Sequence, residues 1–471
     1  MTINEDTIAA ISTPIGLGGL AIVRLSGKEA LKIAGRIFKS YKGRPIENIK
    51  SFTLTYGHII NKKNETIDEV LISVMRAPHS YTKEDIVEIN CHGGMYAVRA
   101  ALELALKEGA RLAHPGEFTL RAFLNGRIDL AQAEAVGDII LAKTNDASAA
   151  AMEQLSGRLS KKITALSQDI LNICANVEAS IDFPEDDIEP SNINTLTDNV
   201  KQIITALKTL SDSFTRGKFL REGVSAAIVG RPNVGKSSLL NALVERDKAI
   251  VTPLEGTTRD IIEDFLDING LYVKFMDTAG IRQVFDLAEK EGVNRTLKAI
   301  ASADLILAVF DAAAPLRDED REVIKRTILK NVIYILNKSD LECILTKTEL
   351  NDLINEYSQS VSISNMPSII NVSTKTGIGI DALRECVVSQ SIGKCSEPKE
   401  CVIITNLRHK DAIERASAAL EKAAELFIEN LPFEIIAIEL RNALNSLGEI
   451  VGASTTEDIL DRIFSSFCIG K

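Results

Sequence analysis

The sequence predicts a multidomain protein of mixed α/β and all-α parts: an N-terminal α/β domain, a helical domain split in two, and a second α/β domain inserted between its halves. Three observations carry this. Strand-like and helical segments alternate over 1–120 and again over 217–394. Stripes of apolar residues at steps of three and four mark 121–216 and 395–471 as helical. The stretch Gly230 to Ser238, GRPNVGKSS, interrupts the second α/β region at a strand-to-helix junction. A length of 471 residues favours about three domains, and 45% hydrophobic residues are ample for their cores.

Composition narrows the function classes. A net charge of −11 argues against a protein that coats nucleic acid by bulk electrostatics, and leaves a local basic patch open. Seven scattered cysteines (Cys91, Cys174, Cys343, Cys386, Cys395, Cys401 and Cys468) form no CxxC pair, which points to a reducing compartment and to no zinc site. The start, MTINEDTIAA, is acidic and lacks an apolar signal core, and no long uncharged apolar run follows. A cytoplasmic protein without a membrane segment is expected.

In chain order, Ile8 to Ile11, Ala21 to Leu25, Phe52 to Ile60, Val70 to Met75 and Ile86 to Asn90 read as strands, with helices over Lys28 to Phe38 and Tyr96 to Lys107. The glycine-rich loop Pro14 to Gly19 is either a plain turn or a place of close ligand approach. Beyond Pro115-Gly116, the stripe Met152, Leu155, Leu159, Ile163, Leu166, Ile170, Ile173, Val177 and Ile181 predicts one long amphipathic helix stopped at Phe183-Pro184. Val200, Ile203, Leu207, Leu210 and Phe214 predict another. Their apolar faces need partners, and the C-terminal helices expected over Asp411 to Ile428, Phe433 to Leu444 and Glu457 to Phe467 can supply them. The inserted domain should hold strands at Ser225 to Val229, Ile261 to Asn269, Tyr272 to Met276, Leu305 to Phe310, Val332 to Leu336 and Ile369 to Val372, a doubly wound sheet.

The chemistry concentrates there. Gly230 to Ser238 fits the phosphate-loop spacing between a β-rich run and a helical one. Its glycines, with Val234, Gly235 and Ser238, aim backbone N–H groups at phosphate oxygens. Lys236 then reaches the outer phosphates and Ser237 ligates Mg²⁺. Asp277-Thr278-Ala279-Gly280 closes a strand and sets a carboxylate beside the metal. Asn337-Lys338-Ser339-Asp340 closes another, and a carboxylate there accepts two hydrogen bonds from guanine that adenine does not offer, selecting GTP. Ser373-Thr374-Lys375 backs the base, with threonine at a middle position that is usually alanine. Thr257 and Thr258 lie in the segment where a hydroxyl completes the Mg²⁺ shell. Ile281 follows Gly280, so the glutamine that orients water in many small GTPases is missing. Asn233 is either a turn residue or a ligand for a monovalent cation standing where an arginine finger stands elsewhere.

These motifs, together with Leu124 to Ala135 (LNGRIDLAQAEA) and the terminal Cys468-Ile469-Gly470-Lys471, resemble the family of tRNA-modification GTPases called MnmE or TrmE, over essentially the whole chain. The resemblance implies an N-terminal tetrahydrofolate-binding fold that dimerises. It also implies an FAD-dependent partner, MnmG (GidA), in a heterotetramer or larger complex, FAD entering only through that partner. The activity implied is aminomethyl or carboxymethylaminomethyl modification of the wobble uridine of certain tRNAs. By the same resemblance Asn233, Thr252, Leu254 and Thr257 hold K⁺, in a loop that includes Pro253, Glu255 and Gly256, while Ser237 and Thr258 hold Mg²⁺. Glu289 would position the attacking water, against the plainer reading of a solvated carboxylate at a helix start. A one-carbon tetrahydrofolate such as 5-formyltetrahydrofolate would contact Arg24, Glu88, Arg127 and Lys471, with arginine at 127 where the family often has lysine. Cys468 would take part in the modification chemistry, or be an inert thiol. The rival from another class is a GTP-switched RNA or ribosome assembly factor that performs no modification.

Overall fold

The computed structural model describes residues 6–14, 16–182, 193–245, 265–276, 297–358, 367–393 and 402–470. Two compact units result, one of Met1–Ile140, Glu153–Ile204 and Arg415–Lys471, the other of Leu141–Met152 and Thr205–Glu414.

The first unit is built on a sheet of β1 (Ile8–Ile11), β2 (Ala21–Ser26), β3 (Phe38–Ser40), β4 (Leu54–Ile60), β5 (Thr66–Met75), β6 (Ile86–Cys91) and β7 (Arg111–Leu112), in the order β3-β4-β5-β6-β2-β1-β7. All neighbours are antiparallel except the parallel pair β1–β7. Helices α1 (Ala30–Ile37) and α2 (Met95–Lys107) bury Ala30, Ile33, Ala34 and Ile37, and Val98, Ala101 and Ala105, in one core with Val23, Leu25, Ile72, Val87 and Ile89. These spacings of three and four are what the helical reading required. The short β3 and β7 carry too few residues to show an alternation, so only pairing with their neighbours reveals them.

Helix α3 (Glu117–Leu124) packs Phe118 against Ile8 and Ala10 of β1 and is tied to the sheet by ions as well. Arg121, 4% exposed, contacts Asp6, Glu84 and Glu117, and Arg111 contacts Asp6 and Glu117. Burial alone would raise the Glu117 carboxyl, but hydrogen bonds from Arg111, the His114 N–H and Arg121 outweigh it and hold the group below its ordinary value.

The helical part departs from expectation at two places, the lesser being Phe214, which opens a separate helix (Phe214–Glu222) after the one that carries Val200 to Leu210 (Ile193–Asp212). The stripe from Met152 to Ile181 is divided between α5 (Asn145–Leu155) and α6 (Arg158–Asp182), after α4 (Leu130–Leu141). The chain turns at Gly157, and Gln132 Nε2 donates to the Leu155 carbonyl at 2.8 Å, satisfying one of the acceptors left open where α5 ends. The apolar residues keep their spacing across the break, which is why the pattern reads as continuous. α6 lays Ile163, Leu166, Ile170, Ile173 and Val177 along α14 (Phe433–Val451), which buries Ile436, Leu440, Leu447 and Ile450, so a C-terminal helix does cover an early one. Helices α13 (Leu407–Ile428) and α15 (Glu457–Ser465) complete the C-terminal set.

The second unit carries β8 (Val224–Val229), β9 (Phe265–Ile268), β10 (Leu271–Phe275), β11 (Leu305–Asp311), β12 (Val332–Asn337) and β13 (Ser368–Asn371) in the order β13-β12-β11-β8-β10-β9, parallel except for β9. It also contains α7 from Thr205 of Ile193–Asp212, α8 (Phe214–Glu222), α9 (Lys236–Glu245), α10 (Asp318–Thr327), α11 (Lys347–Ser358) and α12 (Ile380–Ile392). The strands β11 and β12 are buried almost throughout, as a sheet covered on both faces requires. Residues 141–152 belong to this unit: Lys143 Nζ donates to the Tyr272 hydroxyl at 2.7 Å and lies 4.7 Å from the centre of the Phe265 ring, which stacks on Tyr272. Among the described residues no helix is long and apolar enough to cross a membrane.

Candidate functional site

β8 is the first strand of its sheet, and later strands were added on both sides of it, so the crevice beside its C-terminal end is where ligands bind in such folds. The GRPNVGKSS stretch leaves β8 at that end and α9 starts at Lys236. Gly235 shows why glycine is needed: its φ is +100°, and a Cβ there would stand 2.2 Å from Asn337 Nδ2. Asn233 takes a φ of +64° and is exposed, a backbone state asparagine tolerates. Lys236 Nζ donates to the carbonyls of Gly230 and Arg231 at 2.8 and 2.9 Å, and its burial lowers its pKa.

The motifs after β12 and β13 meet the loop. Asn337, fully buried, donates from Nδ2 to the Val234 carbonyl at 2.8 Å and accepts the Thr374 N–H on Oδ1 at 3.2 Å. One side chain thus braces both the phosphate loop and the Ser373-Thr374-Lys375 turn. Ser373 Oγ donates to Asp340 Oδ1 at 2.7 Å, and this bond holds the exposed Asp340 carboxyl below its ordinary value, keeping it an acceptor. Lys338 Nζ reaches Asp311 Oδ2 at 2.6 Å. Sequence reading did not single out Asp311; the available signal was its position at the end of a buried strand in a series whose other ends carry motifs.

Thr252, Pro253, Leu254, Glu255, Gly256, Thr257, Thr258, Asp277, Thr278, Ala279, Gly280, Glu289 and Lys471 lie outside the described residues. The loop that is described suits a magnesium nucleotide: its glycine leaves no room for a side chain, its lysine is pre-positioned on backbone carbonyls, and Ser237 opens the helix.

In the first unit a second cluster forms around Arg24. β2 and β6 pair Arg24 directly with Glu88, Nε to Oε1 at 2.8 Å, both side chains about one-fifth exposed at 21% and 22%. Arg24 Nη1 also donates to the Gly470 carbonyl at 3.3 Å, and its guanidinium rests 5.7 Å from the Phe118 ring centre. The C-terminal tail is held there by a bridge between Pro115 and Ile469 and by the Gly116 N–H donating to Cys468 at 3.4 Å. Cys468 itself is exposed. Arg127 is exposed and placed 4.7 Å above the Tyr81 ring, whose hydroxyl bonds Thr119 at 3.0 Å. Arg24, Glu88 and the tail therefore come together, while Arg127 is held by a different partner.

A phosphate loop at a sheet's switch point, braced by the asparagine of an NKSD turn, defines the class: a phosphate-loop GTPase carried with a separate, mostly antiparallel sheet and long helices. Family models match along the chain, a GTP-binding protein TrmE N-terminus over residues 7–127 and an MnmE helical domain over 130–468. Relatives called "tRNA modification GTPase MnmE" are 45% identical in Alkaliphilus oremlandii, over 99% of both chains, and 46% identical in Clostridioides difficile, also over 99% of both. Among solved structures, Aquifex aeolicus Era bound to GDP·AlF4⁻ is 28% identical over 42% of this chain and 66% of its own, with a TM-score of 0.26. The chain belongs to the MnmE (TrmE) family.

Proposed function

We infer that this chain hydrolyses GTP and, with an FAD-dependent MnmG partner and a one-carbon tetrahydrofolate, modifies C5 of the wobble uridine of certain tRNAs. The observation that carries the reading is similarity at 44–46% identity to tRNA modification GTPases along essentially the entire length. With tRNA as substrate, its place of work is the cytoplasm, as a homodimer. The division of labour assigns 1–120 to folate binding and dimerisation, 217–394 to the nucleotide, and 121–216 with 395–471 to the helical scaffold.

The chain's own groups then act as follows. Lys236 and the N–H groups of the phosphate loop bind the phosphates, and Asp340 selects guanine. Ser237 and Thr258 would hold Mg²⁺, and Asn233, Thr252, Leu254 and Thr257 would hold K⁺, ions that would supply positive charge toward the phosphates. Glu289 orients the attacking water in place of the missing glutamine. At the second cluster Glu88 accepts from pteridine N–H groups, Arg24, Arg127 and Lys471 suit the acidic tail of a folate, and Cys468, which is exposed, acts beside it.

Nucleoside analysis of tRNA from cells with and without this chain tests the reading. Loss of the aminomethyl-type uridines, restored by the parent but not by Cys468→Ser, supports it down to the thiol. Restoration by both demotes Cys468 to structure. Unchanged nucleosides overturn the modification role and favour a GTP-switched assembly factor.

A further inference from the structure

Arg231 is the second residue of the phosphate loop, and the two residues after it, Pro232 and Asn233, are exposed. Its side chain is not. The side chain is 8% exposed and its Nε stands 3.2 Å from Oδ2 of Asp320, itself 3% exposed. Charged side chains on loops ordinarily turn to water, and a guanidinium, which keeps its charge when buried, needs a partner to offset the hydration it loses. Asp320 sits in the first turn of α10, where the same Oδ2 accepts the Arg317 N–H at 3.0 Å. One carboxylate therefore closes a helix start and grips the nucleotide loop. The Arg231 backbone has its own task, since its carbonyl is one of the two acceptors of Lys236 Nζ.

We propose that the buried Arg231–Asp320 ion pair is a positioning element for GTP hydrolysis, fixing the entry of the phosphate loop against α10 so that the Arg231 carbonyl presents the Lys236 ammonium to the outer phosphates. The inference rests on the GTPase reading above and adds two residues to it. The loop thereby has two struts from distant parts of the sheet unit. Asn337 holds its far half through the Val234 carbonyl, and Asp320 holds its near half through the Arg231 side chain. Each strut sets the place of a loop that meets the phosphates in the GTPase reading.

Steady-state GTP turnover of the full chain decides the matter when read together with its melting temperature. Asp320→Ala leaves a buried guanidinium unpaired, so both stability and turnover fall, kcat by about 100-fold, the scale on which a displacement of about 1 Å is felt at a reacting centre, and KM by far less. The double variant Arg231→Met with Asp320→Asn removes both charges and keeps an oxygen to accept the Arg317 N–H, so stability stays near the parent's. The expected result is a parent-like melting temperature with kcat still reduced. Recovery of kcat along with the melting temperature would make the pair merely structural and overturn the proposal. A parent chain that turns over no GTP would bring down the GTPase reading itself, a failure visible before any variant is made.

Discussion

At the phosphate loop a single run, Gly230 to Ser238, supplies backbone donors, a cation and a hydroxyl, and Asn337 and Asp320 brace it. At Arg24 the groups come from β2, from β6, from α3 and from the end of the chain, and none is near another in sequence. The difference lies in what holds the ligand-facing atoms. A loop that works through its backbone needs its residues in order, whereas a cluster that works through side chains needs only that the topology bring them to one place.

The sharpest way to test the contrast is to remove the cation of the local site. Lys236→Ala deletes the cation poised on the loop's carbonyls, and GTP turnover is expected to fall by about 10²–10³-fold, as for loss of one preorganised charge-stabilising donor. Retained turnover, measured as phosphate release, would mean that the loop is not the hydrolytic site.

The next effect in size belongs to the ion network that carries α3 under the Arg24 cluster. Glu117→Gln leaves Arg111 and Arg121 short of a partner and should lower stability at neutral pH by about 3 kcal/mol, the scale for breaking a buried pair. The pH dependence has a definite sign. The folded carboxyl lies below its free value of 4.5, so its contribution is fully present above about that pH and is lost as pH falls through the folded value. Urea unfolding of parent and variant should therefore converge in acid. A gap that stayed constant from pH 7 down to strong acid would show that Glu117 acts through packing and not through charge.

The same contrast explains what could be read before folding. The longer strands, the NKSD turn and the phosphate loop were legible because each is a local pattern of residue types. The course of the helices was legible only in part: the stripe from Met152 to Ile181 keeps one period across a break at Gly157, since periodicity records which face is buried and not where the axis turns. The Arg24–Glu88 pair depends on the register of β2 with β6, and the Arg231–Asp320 pair on the packing of α10, neither of which any window of sequence contains. Arg24 and Glu88 entered the reading through family resemblance, and Asp320 did not enter at all.

A smaller effect is expected at Arg24. Arg24→Ala removes a guanidinium that bonds Glu88 and the tail carbonyl, and the rise in melting temperature on adding 5-formyltetrahydrofolate should shrink by the equivalent of about 2 kcal/mol of binding, as for hydrogen bonds to charged groups. An undiminished rise would remove Arg24 from the folate site.

The smallest change probes whether the end of the chain is a true part of that cluster. Gly470 has a φ of +94°, and a Cβ on it would stand 2.3 Å from the Ile11 carbonyl oxygen. Ile11 is fixed in β1 by its pairing with Val23, so the tail has to yield. Gly470→Ala should therefore pull the Gly470 carbonyl from Arg24 while the core of the sheet, far more deeply buried, keeps its packing. The free protein should melt almost as before, and the folate-induced rise should fall by the equivalent of about 1 kcal/mol, one hydrogen bond's worth. A rise equal to the parent's would mean that the tail only lies against the cluster. Arg24 and Glu88 would then form the second site as a cross-strand pair on the sheet, closer in kind to the locally built phosphate loop than the four-part assembly suggests.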